Sequence, residues 1–195
     1  MVSDECPKCC GIIVRQLTSE SFVFDYQPQL SGDLLELRPL VADDWTELHA
    51  AASDPLIWVL HPQPNRHEEA VFRVYFEEGL ASGGALVVRD RSSGAVIGSS
   101  RYSAQFAQPG EMEIGWTFLA RSHWGGPYNR EMKRLMLVHA FRFVETVIFR
   151  IGEQNSRSRR AVEKIGARFT GIAQATAWYA IKRADFPLSV SERPG

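Results

Sequence analysis

Glu111 to Glu131 reads EMEIGWTFLARSHWGGPYNRE, and most of the fold class follows from this stretch. Met112, Ile114, Trp116 and Phe118 alternate with Glu111, Glu113, Gly115 and Thr117, the two-residue period of a strand with one apolar face. Gly115 interrupts the second face. A glycine inside a strand marks a bulge, or a point where a ligand or another backbone comes close. The loop Ala120–Pro127 then turns into a helix expected over Tyr128–Glu145, with Met132, Leu135, Met136, Ala140 and Phe143 along one side. A helix start of this kind presents unpaired N–H groups and a partial positive charge suited to phosphate, and Arg121 and Arg130 flank it. The same residues also fit an ordinary strand-to-helix connection. The loop carries neither the Gly-rich Lys-Ser/Thr pattern of a nucleotide triphosphatase nor the dinucleotide fingerprint.

Upstream, Leu34–Leu40 reads as a short edge strand, since Pro39 cannot donate to a ladder. Asp43 or Asp44 is placed to cap a helix to about Ser53, and Asp54-Pro55 ends it. Glu68–Leu80 is a second helix, stopped by Ser82-Gly83-Gly84, and Ala85–Arg89 and Ala95–Tyr102 are strands joined by a turn at Ser92-Ser93-Gly94. Downstream, Thr146–Ile151 is a strand, Ser156–Ile165 a helix, and 167–172 and 176–182 two closing strands. Strands first, then alternating with helices, predict an α/β (α+β) domain with no internal repeat.

The 195 residues suit one domain, here 33–187, with an N-terminal extension 1–32 and a C-terminal tail 188–195. Cys6, Cys9 and Cys10 are the chain's three cysteines. Two thiols at zinc-ligand spacing, without a second Cys or His pair nearby, do not complete a tetrahedral site, so no metal is expected. No signal pattern and no membrane-length apolar run is visible, which points to a cytoplasmic protein without a membrane partner.

The formal net charge of −1 argues against a general nucleic-acid binder. That average hides an asymmetry: residues 1–120 hold 8 basic and 17 acidic residues, and residues 121–195 hold 14 basic and 6 acidic. Arg157, Arg159, Arg160 and Lys164 crowd the stretch after Asn155. Asn155 or Ser156 can cap this helix and Gly166 can end it. Both this stretch and the Trp124–Pro127 loop follow strands of parallel type, at whose carboxyl ends ligands of open α/β sheets collect. The basic half thus suits an anionic ligand, and the acidic half would favour a cation.

Three segments in order carry a family resemblance: Glu113-Ile-Gly-Trp116, then Trp124-Gly-Gly-Pro-Tyr-Asn129-Arg-Glu131 with Lys133 and Leu135–Phe141, then Asn155-x-x-Ser158 through Gly166. Together they resemble the GNAT (Gcn5-related) N-acetyltransferases, in the branch of ribosomal-protein N-terminal acetyltransferases. The resemblance implies a GNAT fold, a mixed central sheet of about six to seven strands with flanking helices, splayed at the acyl-CoA site. It implies acetyl-CoA as acyl donor, contacted by Trp116, Thr117 and Phe118 on the strand, by Arg121, Trp124, Gly125, Gly126, Asn129 and Arg130 at the loop and helix start, and by Asn155, Ser158 and Arg159 beyond. Pro127 and Asn129 stand where the family's general loop has glycine or alanine, which predicts altered loop contacts.

The reaction so implied moves an acetyl group to a primary amine by direct attack, with a protein N-terminal α-amine as first acceptor and a small-molecule amine (polyamine, amino acid or aminoglycoside type) as second. A catalytically silent acyl-CoA-binding module is the rival of a different class, and a homodimer is compatible with the branch. An α-amine with a pKa near ~8 is partly neutral at pH 7, whereas a lysine-type amine near ~10.4 is almost wholly charged, so a base matters more for the second. Glu113, on the polar side of the strand, is the first candidate base. His123 is the second, and Tyr128 a candidate proton donor to the departing thiolate. Trp58, His61 and Trp178 are candidates to line the acceptor pocket, and His139 is expected to be a core histidine.

Overall fold

The computed structural model describes residues 23–187. Eight strands form one sheet: β1 (Leu30–Ser31), β2 (Leu35–Pro39), β3 (Ala85–Asp90), β4 (Val96–Ser103), β5 (Glu111–Leu119), β6 (Thr146–Gly152), β7 (Arg168–Ala173) and β8 (Thr176–Lys182). Their order is β1-β2-β3-β4-β5-β6-β8-β7, with only β5 and β6 parallel. The count exceeds the expected six to seven because Leu30–Ser31 pairs with β2. This short strand belongs to a stretch that also brings Phe24 and Tyr26 onto the core.

Four helices cover the sheet: α1 (Trp45–Ala52), α2 (Glu69–Ser82), α3 (Tyr128–Ala140) and α4 (Ser156–Glu163). Met132, Met136 and Leu137 of α3 and Val162 of α4 share a core with Leu86, Tyr102, Ile114, Phe149 and Tyr179. Leu48, Phe72 and Phe76 of α1 and α2 form the opposite core with Val87, Val96 and Phe118. His139 is buried among aromatic rings, its Nε2 2.7 Å from the carbonyl of Asp25. The long helix ends five residues earlier than its apolar spacing predicts, because Phe143 and Val144 bond back to Ala140 in a turn and aim Thr146 at Glu111. Among the described residues no helix is long and apolar enough to cross a membrane.

Candidate active site

Two irregularities of β5 make the site. The first is a bulge. Ser99 pairs with Phe118 and Arg101 with Gly115, so Trp116 and Thr117 together face the single residue Ser100. Trp116 takes φ 50°, a left-handed conformation that costs a residue with a Cβ on the order of 1–2 kcal/mol. The strict alternation expected along the strand therefore breaks: Met112 and Ile114 face α3, whereas Trp116 and Phe118 pack on the α1–α2 side.

The bulge is clamped from both faces. From α2, the Tyr75 hydroxyl donates to the Trp116 carbonyl at 2.7 Å. From α3, the Lys133 ammonium donates to Thr117 Oγ1 at 2.5 Å and reaches Ser100 Oγ at 3.4 Å. Lys133 is 4% exposed, and burial pulls its pKa down from 10.5 to about 7.

The second irregularity is a splay. Parallel pairing of β5 with β6 runs only through Glu111–Thr146, Met112–Val147 and Glu113–Ile148. Beyond Glu113 the strands part, and the backbone polar groups of Ile114–Leu119 on that side have no ladder partner among the described residues. Such a gap accepts an extended amide-bearing chain as a substitute strand.

At the end of β5, α3 begins behind Pro127, which supplies no side-chain cap, so the first-turn N–H groups remain for an anion. Gly125 (φ 73°) makes the turn, and a Cβ at Gly125 or Gly126 would meet open space. The gap, the uncapped 13-residue helix and the open glycine turn fit an acyl-CoA: an amide-rich arm in the gap and phosphates at the helix start.

The residues expected from the sequence divide into three groups. Trp116, Thr117, Trp124, Gly125, Gly126, Asn129 and Arg130 lie on the bulge, the loop and the first turn of α3. Trp124 is held by its Nε1 donating to Leu119 O at 2.8 Å and by the Arg157 guanidinium 3.9 Å above its ring. The side chains of a second group are occupied elsewhere. Arg121 pairs with Asp54, Phe118 is buried in the α1–α2 core, and Arg159 donates to Tyr179 Oη at 2.8 Å and Glu153 O at 3.1 Å. Asn155, 6% exposed, spends its Oδ1 as the N-cap of α4, bonded to Ser158 N at 3.1 Å.

The catalytic candidates form the third group, and only Glu113 lies on the buried face at the splay. The Tyr128 hydroxyl reaches Asp90 Oδ1 at 3.3 Å, and His123 bonds Ser122 and packs edge-on against Tyr128. Both are drawn to the β3 turn by these contacts.

Glu113 is 2% exposed, and its Oε2 has no hydrogen-bond partner among the described residues. Burial raises its pKa from 4.5 to about 7, against the opposing pull of Arg150 and Arg101. Arg150 Nη1 stands 3.9 Å from that oxygen.

Register places Arg101, Glu113, Arg150 and Trp178 on the same face of four neighbouring strands. The loop between α1 and α2 arches over this face. Trp58 is buried there with Nε1 bonded to Ala52 O at 2.8 Å, and Arg66 Nη1 lies 3.2 Å from His61 Nε2. Burial, with Arg66 second, lowers the His61 pKa to about 4 and keeps its ring neutral. Thus Trp58 and His61 come from the loop over this face and Trp178 from β8 beside Arg150, and the charges acting on Glu113 are arginines, not the acidic lining expected from the chain's first half. Tyr75, Arg66, Arg101 and Arg150 were given no role at the site from the sequence, and Lys133 stood only within the family-like segment. Lys133 alone left a trace there, a lysine among methionines on the apolar side of a helix. Among the described residues no group of three or more His, Cys, Asp or Glu side chains could hold a metal, and Cys6, Cys9 and Cys10 lie outside those residues.

Comparisons with known proteins agree with this architecture. No curated protein matches the chain by sequence. A probable GNAT-family acetyltransferase of Chromobacterium violaceum superimposes with TM-score 0.75 at 20% identity, covering 95% of this chain and 98% of that one. Mycobacterium smegmatis RimJ, solved with CoA-disulfide, gives 0.66 at 17% identity over 86% of this chain and 93% of that one. Spermidine N-acetyltransferase of Vibrio cholerae, solved with CoA and spermine, gives 0.62 at 15% identity over 79% and 98%. Residues 35–168 match the family model of the acetyltransferase (GNAT) domain, and the chain belongs to that family of acyltransferases.

Proposed function

We propose that the protein transfers the acetyl group of acetyl-CoA to a primary amine by direct attack, with Glu113 as the general base. The observation that carries this reading is the buried Glu113 carboxyl, whose Oε2 has no hydrogen-bond partner among the described residues, poised near neutral pH beside the splay of β5 and β6. When bound, acetyl-CoA supplies a thioester carbonyl. The residues proposed to hold it are the β5 backbone beyond Glu113, the turn at Gly125-Gly126 and the first turn of α3, with Asn129 and Arg130.

Each remaining group has a task in the chain's own chemistry. Glu113 takes the proton that the attacking nitrogen loses as its bond to carbon forms. Arg150 and Arg101 sustain the carboxylate form that accepts it. Tyr75 and Lys133 hold the bulge, and so fix the direction of the backbone at Gly115–Trp116. The arch from Pro55 to Arg66 keeps water from the acceptor side, with Pro62 close against Gly152 of β6. The departing thiol, with a pKa near ~8.5, needs little protonation, so Tyr128 is not required as an acid.

A protein N-terminal α-amine suits a base of this strength, since about a tenth of it is already neutral at pH 7. The test is release of free thiol from acetyl-CoA with a panel of amines that includes peptides with free N-termini. Amine-dependent release supports the reading. CoA binding without release by any amine would leave an acyl-CoA-binding module.

A further inference from the structure

Arg101 is the least expected residue of the cleft. It sits mid-strand in β4, only 5% exposed, and its Nε is buried without a hydrogen-bond partner among the described residues. The one side-chain hydrogen bond it makes among the described residues is a long 3.4 Å contact from Nη2 to the Tyr75 carbonyl. Its guanidinium lies 4.7 Å from the Trp116 ring and 5.8 Å from the Tyr75 ring.

Arg66 approaches the same Tyr75 ring at 4.9 Å, and its Nε is likewise buried and unpartnered among those residues. Neither arginine has a carboxylate oxygen within 4.0 Å among the described residues. Burial works against the charge of both, and Arg101 lowers that of Arg66 further.

Two guanidiniums on one ring, without a counter-ion, are an incomplete arrangement. Aromatic contacts offset only part of the cost of removing such cations from water. The other charged groups facing them do not complete it. Glu113 favours the charge of Arg101 but forms its ion pair with Arg150, which adds a third cation; Glu78 is exposed, and the His61 ring is neutral. Arg66 and Arg101 also lie on the α2 face of the sheet, whereas α3, whose N-terminus suits phosphate, packs on the opposite face. Their missing anion is therefore separate from the phosphates of the cofactor. The fork of an arginine with free Nε matches a planar carboxylate.

We propose that the acceptor amine carries a carboxylate a few bonds from its nucleophilic nitrogen, bound by Arg66 and Arg101 while the nitrogen faces Glu113. This deepens the acetyl-transfer reading above and rests on it. Arg101 pairs with Gly115 and Ser103 with Glu113, so Arg101 and Glu113 are diagonal neighbours on one face, as such a substrate requires. A polyamine, carrying further cations, would meet repulsion here. The carboxylate can belong to a free amino acid or to the first side chain of a protein N-terminus.

The experiment measures kcat/KM at saturating acetyl-CoA for amines paired by carboxylate. Free amino acids are compared with their amides, and peptides starting with Asp or Glu with those starting with Asn or Gln. The expected result is a preference of at least tenfold for the carboxylate in one series, and that series identifies the source. Arg66→Gln and Arg101→Gln each remove most of the preference and leave the Kd of CoA within twofold, and Arg101→Lys retains part of it. If Arg101→Gln fails to fold, Arg66→Gln on the loop decides alone. Equal or better turnover of amides or spermidine overturns the inference but leaves acetyl transfer standing. So does a preference that survives both substitutions. Faster arginine-dependent use of succinyl-CoA than of acetyl-CoA would assign the carboxylate to the donor, and also overturns it. CoA binding with no thiol release from any amine defeats the acetyl-transfer reading itself.

Discussion

Replacing Glu113 by Gln separates catalysis from stability with a single substitution. Burial moves the carboxyl from 4.5 to about 7, which at ~1.4 kcal/mol per pH unit favours the neutral form by about 3 kcal/mol. The folded protein then holds a proton between pH 4.5 and 7 that the unfolded chain has released. Stability conferred by this group is thus present below pH 4.5 and lost as pH rises toward 7. Glu113→Gln keeps the shape and removes the ionisation. The variant should gain stability above pH 7, up to about 3 kcal/mol, or roughly 6–12 °C in melting temperature for a domain of this size. Its activity should fall by about 10²–10⁴, the usual worth of a positioned base. The assay pairs thermal melts from pH 5 to 9 with the kcat/KM profile, whose wild-type acid limb near pH 7 should vanish in the variant. A more stable and less active protein cannot be explained by misfolding. Wild-type turnover with an unchanged acid limb would refute the assignment, whatever the melts show.

Lys133→Met should raise the melting temperature at pH 6, since the lysine's lowered pKa costs folding free energy below pH 7 and ceases to do so toward pH 10.5. A lower melting temperature at pH 6 would mean that the Thr117 and Ser100 bonds outweigh desolvation. Gly125→Asp places a carboxylate at the turn and strains φ 73°, and should weaken CoA binding at least a hundredfold by calorimetry while the fold survives. Unchanged affinity would remove this turn from the cofactor site. Asn155→Ala should cost about 1 kcal/mol in denaturant unfolding through loss of the α4 cap. A loss of CoA affinity exceeding what that instability explains would show a direct contact in addition.

Regular elements were legible because periodicity reports burial on one face, and each predicted strand and helix from Leu34 onward has its counterpart. The bulge was half visible. Gly115 announces it, but the reversal of Trp116 and Phe118 depends on pairing with Ser99 and Arg101, which lie 15 or more residues away in sequence. The same holds for the acceptor side. Arg66, Arg101 and Arg150 come from a loop and two strands, and no local pattern states that they share a face. Charge counted along the chain misled for this reason: most acidic residues of the first half point to solvent, while Arg66 and Arg101 from that half turn inward. Tyr128 shows the converse, a residue beside the candidate cofactor loop whose hydroxyl is held by Asp90.

In the proposed reaction the gap between β5 and β6 receives the acyl donor beside Glu113. A crystal structure of the protein with CoA tests it most directly. The pantetheine arm should lie along β5 beyond Glu113, with its phosphates at Gly125–Arg130 and its thiol opening toward the Glu113 face. CoA bound elsewhere, or a gap closed by further β5–β6 pairing, would contradict it.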